Sequence, residues 1–239
     1  MEILDDLQCG GYMLLQDSEN FKFGTDAVLL SDFAKNARGE KLLDLCTGNG
    51  IVPILLAAKT KIKQIYGIEI QEKSAELAGR SAELNGLSDR VKIICGDLKN
   101  YGNYFEKRMF DAITCNPPYM KCGSSIVNEN DSKVIARHEL CCNLEDVISA
   151  AAELLKVNGR FFMVHRPTRL AEIIACMKKY KIEPKRLRLV HPSAESEPIL
   201  FLVEGLMFGG EEIRVMPPLF LKGKDGGESE ELKRIYERK

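Results

Sequence analysis

The sequence predicts an α/β fold in which a mostly parallel seven-stranded sheet, antiparallel only at its last strand, carries helices on both faces. Three observations lead there. From residue 41 onward, short apolar runs alternate with amphipathic stretches, the rhythm of parallel strands joined by crossover helices. A glycine-rich turn, Asp44-Leu45-Cys46-Thr47-Gly48-Asn49-Gly50, lies where the first such strand should hand over to the first helix. The segment His191-Pro192-Ser193-Ala194-Glu195-Ser196-Glu197, between the last two apolar runs, is too short for a crossover helix, so those strands should pair antiparallel.

Strands are expected at 41–46, 64–70, 91–95, 110–115, 159–165, 185–190 and 198–205. Helices are expected at 51–60, 71–85, 143–156 and 168–180, with a short or irregular piece around 98–106. Gly86-Leu87 and Asn158-Gly159 mark helix ends, since glycine just past a helix accepts the left-handed conformation. Upstream, Phe23, Ala27, Leu30, Phe33 and Ala34 recur at helical spacing within 21–38, with Thr25 or Asp26 as the cap. Residues 119–142 show no periodicity and are rich in Gly, Ser, Asn and Asp, which suits a substrate-binding loop or lid. A single domain over 1–222 follows, with 1–40 as an N-terminal helical or lid segment and 223–239 as a flexible charged tail, either a mobile end or a weak helix.

Charge and composition narrow the function classes. Thirty-four Lys and Arg against 35 Asp and Glu create no global field, so any nucleic-acid contact must come from a local patch. The eight cysteines, at 9, 46, 95, 115, 122, 141, 142 and 176, include no Cys-x-x-Cys pair. Cys46, Cys95 and Cys115 fall within apparent core strands, which points to a reduced cytoplasmic setting without a zinc site. The N-terminus lacks a basic start followed by an apolar block, and no run of about 18 apolar residues occurs, so a soluble protein without a membrane partner is expected.

The chemistry-bearing residues cluster at predicted strand ends. Asp44 closes the first strand before the glycine turn, Glu69 the second, and Asp97 with Leu98 follows the third. Ligands bind at this edge of open parallel sheets. The glycine spacing departs from the dinucleotide fingerprint, and an acid stands where a pyrophosphate would be repelled, which disfavours NAD and favours a ligand with a cationic portion. After the fourth strand comes Asn116-Pro117-Pro118-Tyr119. Two prolines fix the backbone and remove two donors, leaving carbonyl acceptors in set directions beside the asparagine side-chain oxygen, while the tyrosine offers a stacking face. That corner suits a planar amine.

In this order, Asp-x-x-x-Gly-x-Gly, a strand-ending Glu, Gly-Asp-Leu and Asn-Pro-Pro-Tyr resemble the Rossmann-like S-adenosylmethionine-dependent methyltransferases that modify exocyclic amines or amides. More closely, these motifs with Phe23-Gly24-Thr25-Asp26-Ala27-Val28-Leu29-Leu30 and Ala136-Arg137-His138-Glu139 resemble the bacterial tRNA(Val) adenine-N6 methyltransferase family, over about residues 8 to 222. The resemblance implies S-adenosyl-L-methionine as cofactor, held by Thr25, Asp26, Asp44, Cys46, Thr47, Gly48, Asn49, Gly50, Glu69, Ile70, Asp97, Leu98 and Asn116. Gly48 and Gly50 would lie against its methionine part with Asp44 near the amino group, Glu69 against the ribose, and Asp97 with Leu98 against the adenine. Asn116, Pro117, Pro118 and Tyr119 would form the catalytic corner: Asn116 and the Pro117 carbonyl accept the hydrogens of the target amine, and Tyr119 stacks on its ring.

The resemblance also implies a tRNA partner and no metal, in a monomer or homodimer. Contacts to RNA are expected from Arg137, His138, Arg166, Arg169, Lys185 and Arg186, for each of which a purely structural reading stays open. Alternatives sharing the corner are methylation of a glutamine amide in release factors or of adenine in ribosomal RNA or DNA; a non-enzyme alternative is a cofactor-binding protein that interacts with RNA.

Overall fold

The computed structural model describes residues 1–17, 24–118 and 142–237. The central sheet is built from β3 (Lys41–Leu45), β4 (Gln64–Glu69), β5 (Val91–Cys95), β6 (Phe110–Cys115), β7 (Leu155–His165), β8 (Ile182–His191) and β9 (Leu200–Met207), the seven strands the sequence predicts. Two-residue strands β10 (Arg214–Val215) and β11 (Leu219–Phe220) add to β8 at the edge. The path across the sheet runs β10-β8-β9-β7-β6-β3-β4-β5. Strands β7, β6, β3, β4 and β5 are parallel neighbours, whereas β9 runs antiparallel to both β7 and β8.

Helices cover both faces because the central strands are apolar on both sides. In β3, Leu42 faces one core with α1 (Thr25–Phe33) and α2 (Ile51–Lys59), while Leu43 and Leu45 face the other with α4 (Leu144–Leu154) and α5 (Leu170–Lys179). Helix α3 (Glu72–Leu84) ends as predicted: Gly86 is left-handed at φ 66°, and the Leu87 N–H reaches back to the Ala82 carbonyl at 2.8 Å.

Several expectations need correction. Residues preceding α1 form an antiparallel hairpin, β1 (Glu2–Asp6) and β2 (Met13–Asp17), where a helical segment was anticipated. It is pinned to α3, since the Met13 N–H donates to Asn85 Oδ1 at 2.8 Å and the Leu15 N–H to Ser81 Oγ at 3.0 Å. Thr25 and Asp26 do not cap α1. They are its first two residues behind Gly24, and Asp26 Oδ1 accepts from the Ala27 N–H.

Asn158-Gly159 does not end a helix either. Helix α4 stops at Leu154, and Asn158, at φ 61°, lies in a kink of β7 where the pairing with β6 shifts from Phe110–Leu155 to Ala112–Arg160. Of the two readings of the tail, the weak helix holds: α6 (Glu230–Ile235) is capped by Ser229, with Leu232 and Ile235 buried against the α1 and α2 core. Among the six described cysteines all thiols are free, but Cys95 is exposed at the sheet's edge strand and is no core residue.

Candidate active site

Because β6, β3, β4 and β5 are adjacent and parallel, their carboxyl ends place Asn116, Asp44, Glu69 and Asp97 side by side along one edge. The chain winds from β3 outward to β4 and β5, then returns to β6 on the other side of β3. Such a reversal opens a crevice between the two strands where it occurs, here β3 and β6. The glycine turn stands on one side of it and Asn116-Pro117-Pro118 on the other; Leu45 and Cys115, the residues just below, are register partners.

The turn is held residue by residue. Thr47 Oγ1 donates to Asp44 Oδ2 at 2.7 Å, the Gly48 N–H to Glu69 Oε2 at 2.9 Å, and Asn49 Nδ2 to Gln16 Oε1 at 3.2 Å. Gly48 and Gly50 are both left-handed, at φ 56° and 83°, a conformation that costs an L side chain energy. A Cβ on Gly50 would stand 2.8 Å from that of Ala78 on α3, so this glycine is needed for close packing, whereas a Cβ on Gly48 would meet nothing within 4 Å. The Gly48 side of the turn is therefore the open face a ligand can approach. Gly67 on β4 makes room beneath, where a Cβ would lie 2.8 Å from Thr47 Oγ1.

Asp44 is 1% exposed, and its two oxygens accept from the hydroxyls of Thr47 and Thr114. Burial pushes its carboxyl up to about 7, opposed by those two hydrogen bonds and reinforced by the negative charge of Glu69. Glu69, also buried, accepts from the Gly48 and Gln71 N–H groups with separate oxygens, and each oxygen retains a lone pair for a further donor. Ile70 beside it is half-buried. Asp97 accepts the Lys99 N–H at 2.9 Å and opens a 3-10 turn, Leu98–Asn103, that buries Leu98.

At the corner, Asn116 is half-buried, Pro117 buried and Pro118 exposed. Tyr119, Arg137 and His138 lie outside the described residues. Cys46, left-handed at φ 56°, has its Sγ 3.7 Å from that of Cys142, and hydrogen bonding with Cys115 together with burial holds its thiol well above the ordinary range. It is packing, not a nucleophile.

The basic residues divide. Arg166 is exposed directly beyond β7 on the site edge, and Arg169, three residues on, pairs with Glu172 at 2.9 Å. His165 between them and the sheet is buried and neutral, its pKa lowered to about 4 by burial and then by Arg169. Lys185 and Arg186 lie within β8, away from this edge. Lys185 donates to the Gly210 and Glu211 carbonyls, while Arg186 bonds buried Glu204 and stacks 4.6 Å over Phe33. Both are engaged in holding the far side of the sheet.

Sequence reasoning missed Thr114, Gly67 and Gln16. Thr114 had a signal, a hydroxyl inside an apolar strand, and Gln16 occupies an inward position of alternating β2. Among the described residues no group of three or more His, Cys, Asp or Glu side chains could hold a metal ion, and no helix is long and apolar enough to cross a membrane.

Comparison with known proteins agrees with this geometry. The family model of the methyltransferase small domain matches residues 18–180. The chain is 33% identical over 189 residues to the tRNA1(Val) (adenine(37)-N6)-methyltransferase of Porphyromonas gingivalis W83, covering 77% of this chain and 73% of the relative. It is 26% identical over 218 residues to the protein of the same name from Dyadobacter fermentans, covering 90% and 88%. Among solved structures, a predicted O-methyltransferase from Agrobacterium tumefaciens superposes with a TM-score of 0.73 at 21% identity, over 89% of this chain and 95% of the other, a likeness of fold. The chain belongs to the methyltransferase small domain family.

Proposed function

We propose that this methyltransferase moves the methyl group of S-adenosyl-L-methionine to the N6 atom of an adenine in tRNA, acting in the cytoplasm, with adenine 37 of a valine tRNA as the target. The observation that carries the reading is the juxtaposition of the Asn116-Pro117-Pro118 corner with the glycine turn at the β3/β6 crevice. The residues fit the cofactor. An open glycine face, two carboxylates at adjacent strand ends and an apolar seat at Leu98 suit a ligand that joins a cationic amino acid to a nucleoside. When bound, it supplies an activated methyl on a sulfonium. The names of the relatives from Porphyromonas and Dyadobacter favour tRNA adenine over the amide or DNA alternatives.

In this reading the chain's own residues position and polarise. The exocyclic nitrogen of adenine is nearly planar because its lone pair is delocalised into the ring. The Asn116 side-chain oxygen and the Pro117 carbonyl would accept its two hydrogens, favour a pyramidal nitrogen and free that pair to attack the methyl carbon. The carbon–sulfur bond would break as the carbon–nitrogen bond forms, leaving a neutral thioether, and the nitrogen would then release one hydrogen as a proton to water. No strong base is required before attack, which accords with a buried, neutral His165 and an unreactive Cys46 at this edge. Holding the reactants in line contributes on the order of 7–11 kcal/mol, and preorganised acceptors add to it. Extruding the base costs a few kcal/mol, of which stacking on an aromatic face, assigned to Tyr119, returns roughly 1–3 kcal/mol. Arg166 is assigned to a phosphate at the rim.

The test is mass spectrometry of nucleosides after incubating the pure protein and cofactor with separate pools of tRNA, ribosomal RNA, DNA and release factor. N6-methyladenosine rising in the tRNA pool is the expected result. Methylation confined to another pool would overturn the choice of substrate.

A further inference from the structure

We propose that Gln16, contributed by the N-terminal hairpin from outside the α/β core, is a positioning residue for the cofactor, acting through Asn49 on the glycine turn. The inference rests on the reading that this turn receives S-adenosyl-L-methionine. Of the three side-chain clamps on Thr47, Gly48 and Asn49, two come from the core strands, Asp44 from β3 and Glu69 from β4. The third comes from β2. Asn49 stands between two left-handed glycines, where the backbone has the greatest freedom to choose another conformation. Among the described residues, the side chain that restrains it is Gln16, which accepts from Asn49 Nδ2.

Gln16 is built for that task. It is 1% exposed, and its amide is oriented by what lies at each end: Oε1 accepts from Asn49 Nδ2, and Nε2 donates to Asp5 Oδ2 on β1. Reversing the amide would set donor against donor at Asn49 and acceptor against carboxylate at Asp5. Asp5 therefore dictates which atom Gln16 shows to the turn. The hairpin that carries this pair cannot drift, because Met13 and Leu15 are hydrogen-bonded to α3, the helix whose Ala78 packs under Gly50. The hairpin thus acts as a brace: it fixes the turn relative to α3 before ligand arrives, lowering the ordering cost that binding would otherwise incur.

The experiment is calorimetric titration of S-adenosyl-L-methionine and S-adenosylhomocysteine into the full chain, with steady-state kinetics and ligand-free melting alongside. Gln16→Leu removes the hydrogen bonds to Asn49 and Asp5 at similar volume. It should weaken binding of both ligands about tenfold, the weight of one buried hydrogen bond, and raise KM for the cofactor equally while kcat at saturation stays within about twofold. The double variant Gln16→Glu with Asp5→Asn keeps an acceptor facing Asn49 and restores a donor behind it, so its affinity should return to within about twofold of wild type. If Gln16→Leu does not melt cooperatively, Asn49→Ala tests the same contact from the turn and should show the same tenfold loss. Unaltered affinity in Gln16→Leu or Asn49→Ala would overturn the inference, as would a double variant as weak as Gln16→Leu. Failure of the wild type itself to bind either ligand would instead refute the assignment of the turn, and the inference with it.

Discussion

Thr114 Oγ1 donates to Asp44 Oδ1 across 2.6 Å, from β6 to β3, so the two strands that flank the crevice are joined by a hydrogen bond to a buried carboxylate. The second oxygen of Asp44 takes the Thr47 hydroxyl, which ties the glycine turn to the same group. Replacing Thr114 with Val leaves that oxygen without its hydroxyl donor in the interior. A loss of about 1–3 kcal/mol in urea-unfolding stability is the expected outcome, together with weaker cofactor binding.

Asp44 also sets a pH dependence. Its carboxyl is raised in the folded protein, from 3.8 to about 7, so the folded state holds the proton more tightly than the unfolded chain. The stability this provides is complete below the unfolded value and is lost as pH rises through about 7, a change of up to about 4 kcal/mol. His165 contributes with the opposite sense, since its pKa is lowered to about 4 and stability is lost as pH falls from its ordinary value toward that one. Asp44→Asn isolates the first effect. Between pH 5 and pH 7.5 the wild type should lose stability relative to Asp44→Asn, and parallel stability curves for the two proteins would contradict the assignment.

Glu69 grips the Gly48 N–H and keeps lone pairs for ligand hydroxyls. Glu69→Ala removes both functions, and cofactor affinity measured by calorimetry should fall by about 10–100-fold, the range for lost hydrogen bonds to a charged acceptor.

The C-terminal helix is a further point of attack. Leu232 is 6% exposed on a helix packed against α1, and Lys59 Nζ donates to the Ile235 carbonyl at 2.7 Å. Leu232→Ala should lower unfolding stability by about 2 kcal/mol through the cavity it leaves, readily seen as a shifted urea midpoint. A mobile tail would give no change.

How much of this was legible in the sequence follows from where the free energy is decided. Strands β3 to β9 were readable from their apolar runs, near-continuous in the central strands and interrupted by basic residues in β8, and their order of carboxyl ends followed from glycine and acid positions that only a ligand-binding edge explains. Asp44, Glu69 and the Asn116 corner were singled out for the same reason. Three kinds of feature escaped. The hairpin buries Gln16 and the adjacent Asp17, polar residues whose burial depends on partners distant in sequence, so the alternation of β2 was hidden. Asn158-Gly159 carries the local chemistry of a helix end yet serves a kink inside β7, because pairing with β6 and β9 overrides local preference. The tail's charge left a mobile end and a weak helix undecided; two apolar residues, Leu232 and Ile235, suffice to seat the helix on an existing core. Lys185 and Arg186, basic in sequence, turned out to serve buried or backbone acceptors of the sheet edge.

The central claim is that the Asn116-Pro117 acceptors act on the target nitrogen, separately from cofactor capture. Single-turnover transfer of labelled methyl from S-adenosyl-L-methionine to tRNA, measured for wild type and Asn116→Ala at matched cofactor occupancy, tests it most directly. The account predicts that Asn116→Ala binds cofactor within about threefold of wild type but transfers methyl at least about 10²-fold more slowly. Transfer at the wild-type rate by a cofactor-saturated Asn116→Ala protein would contradict it.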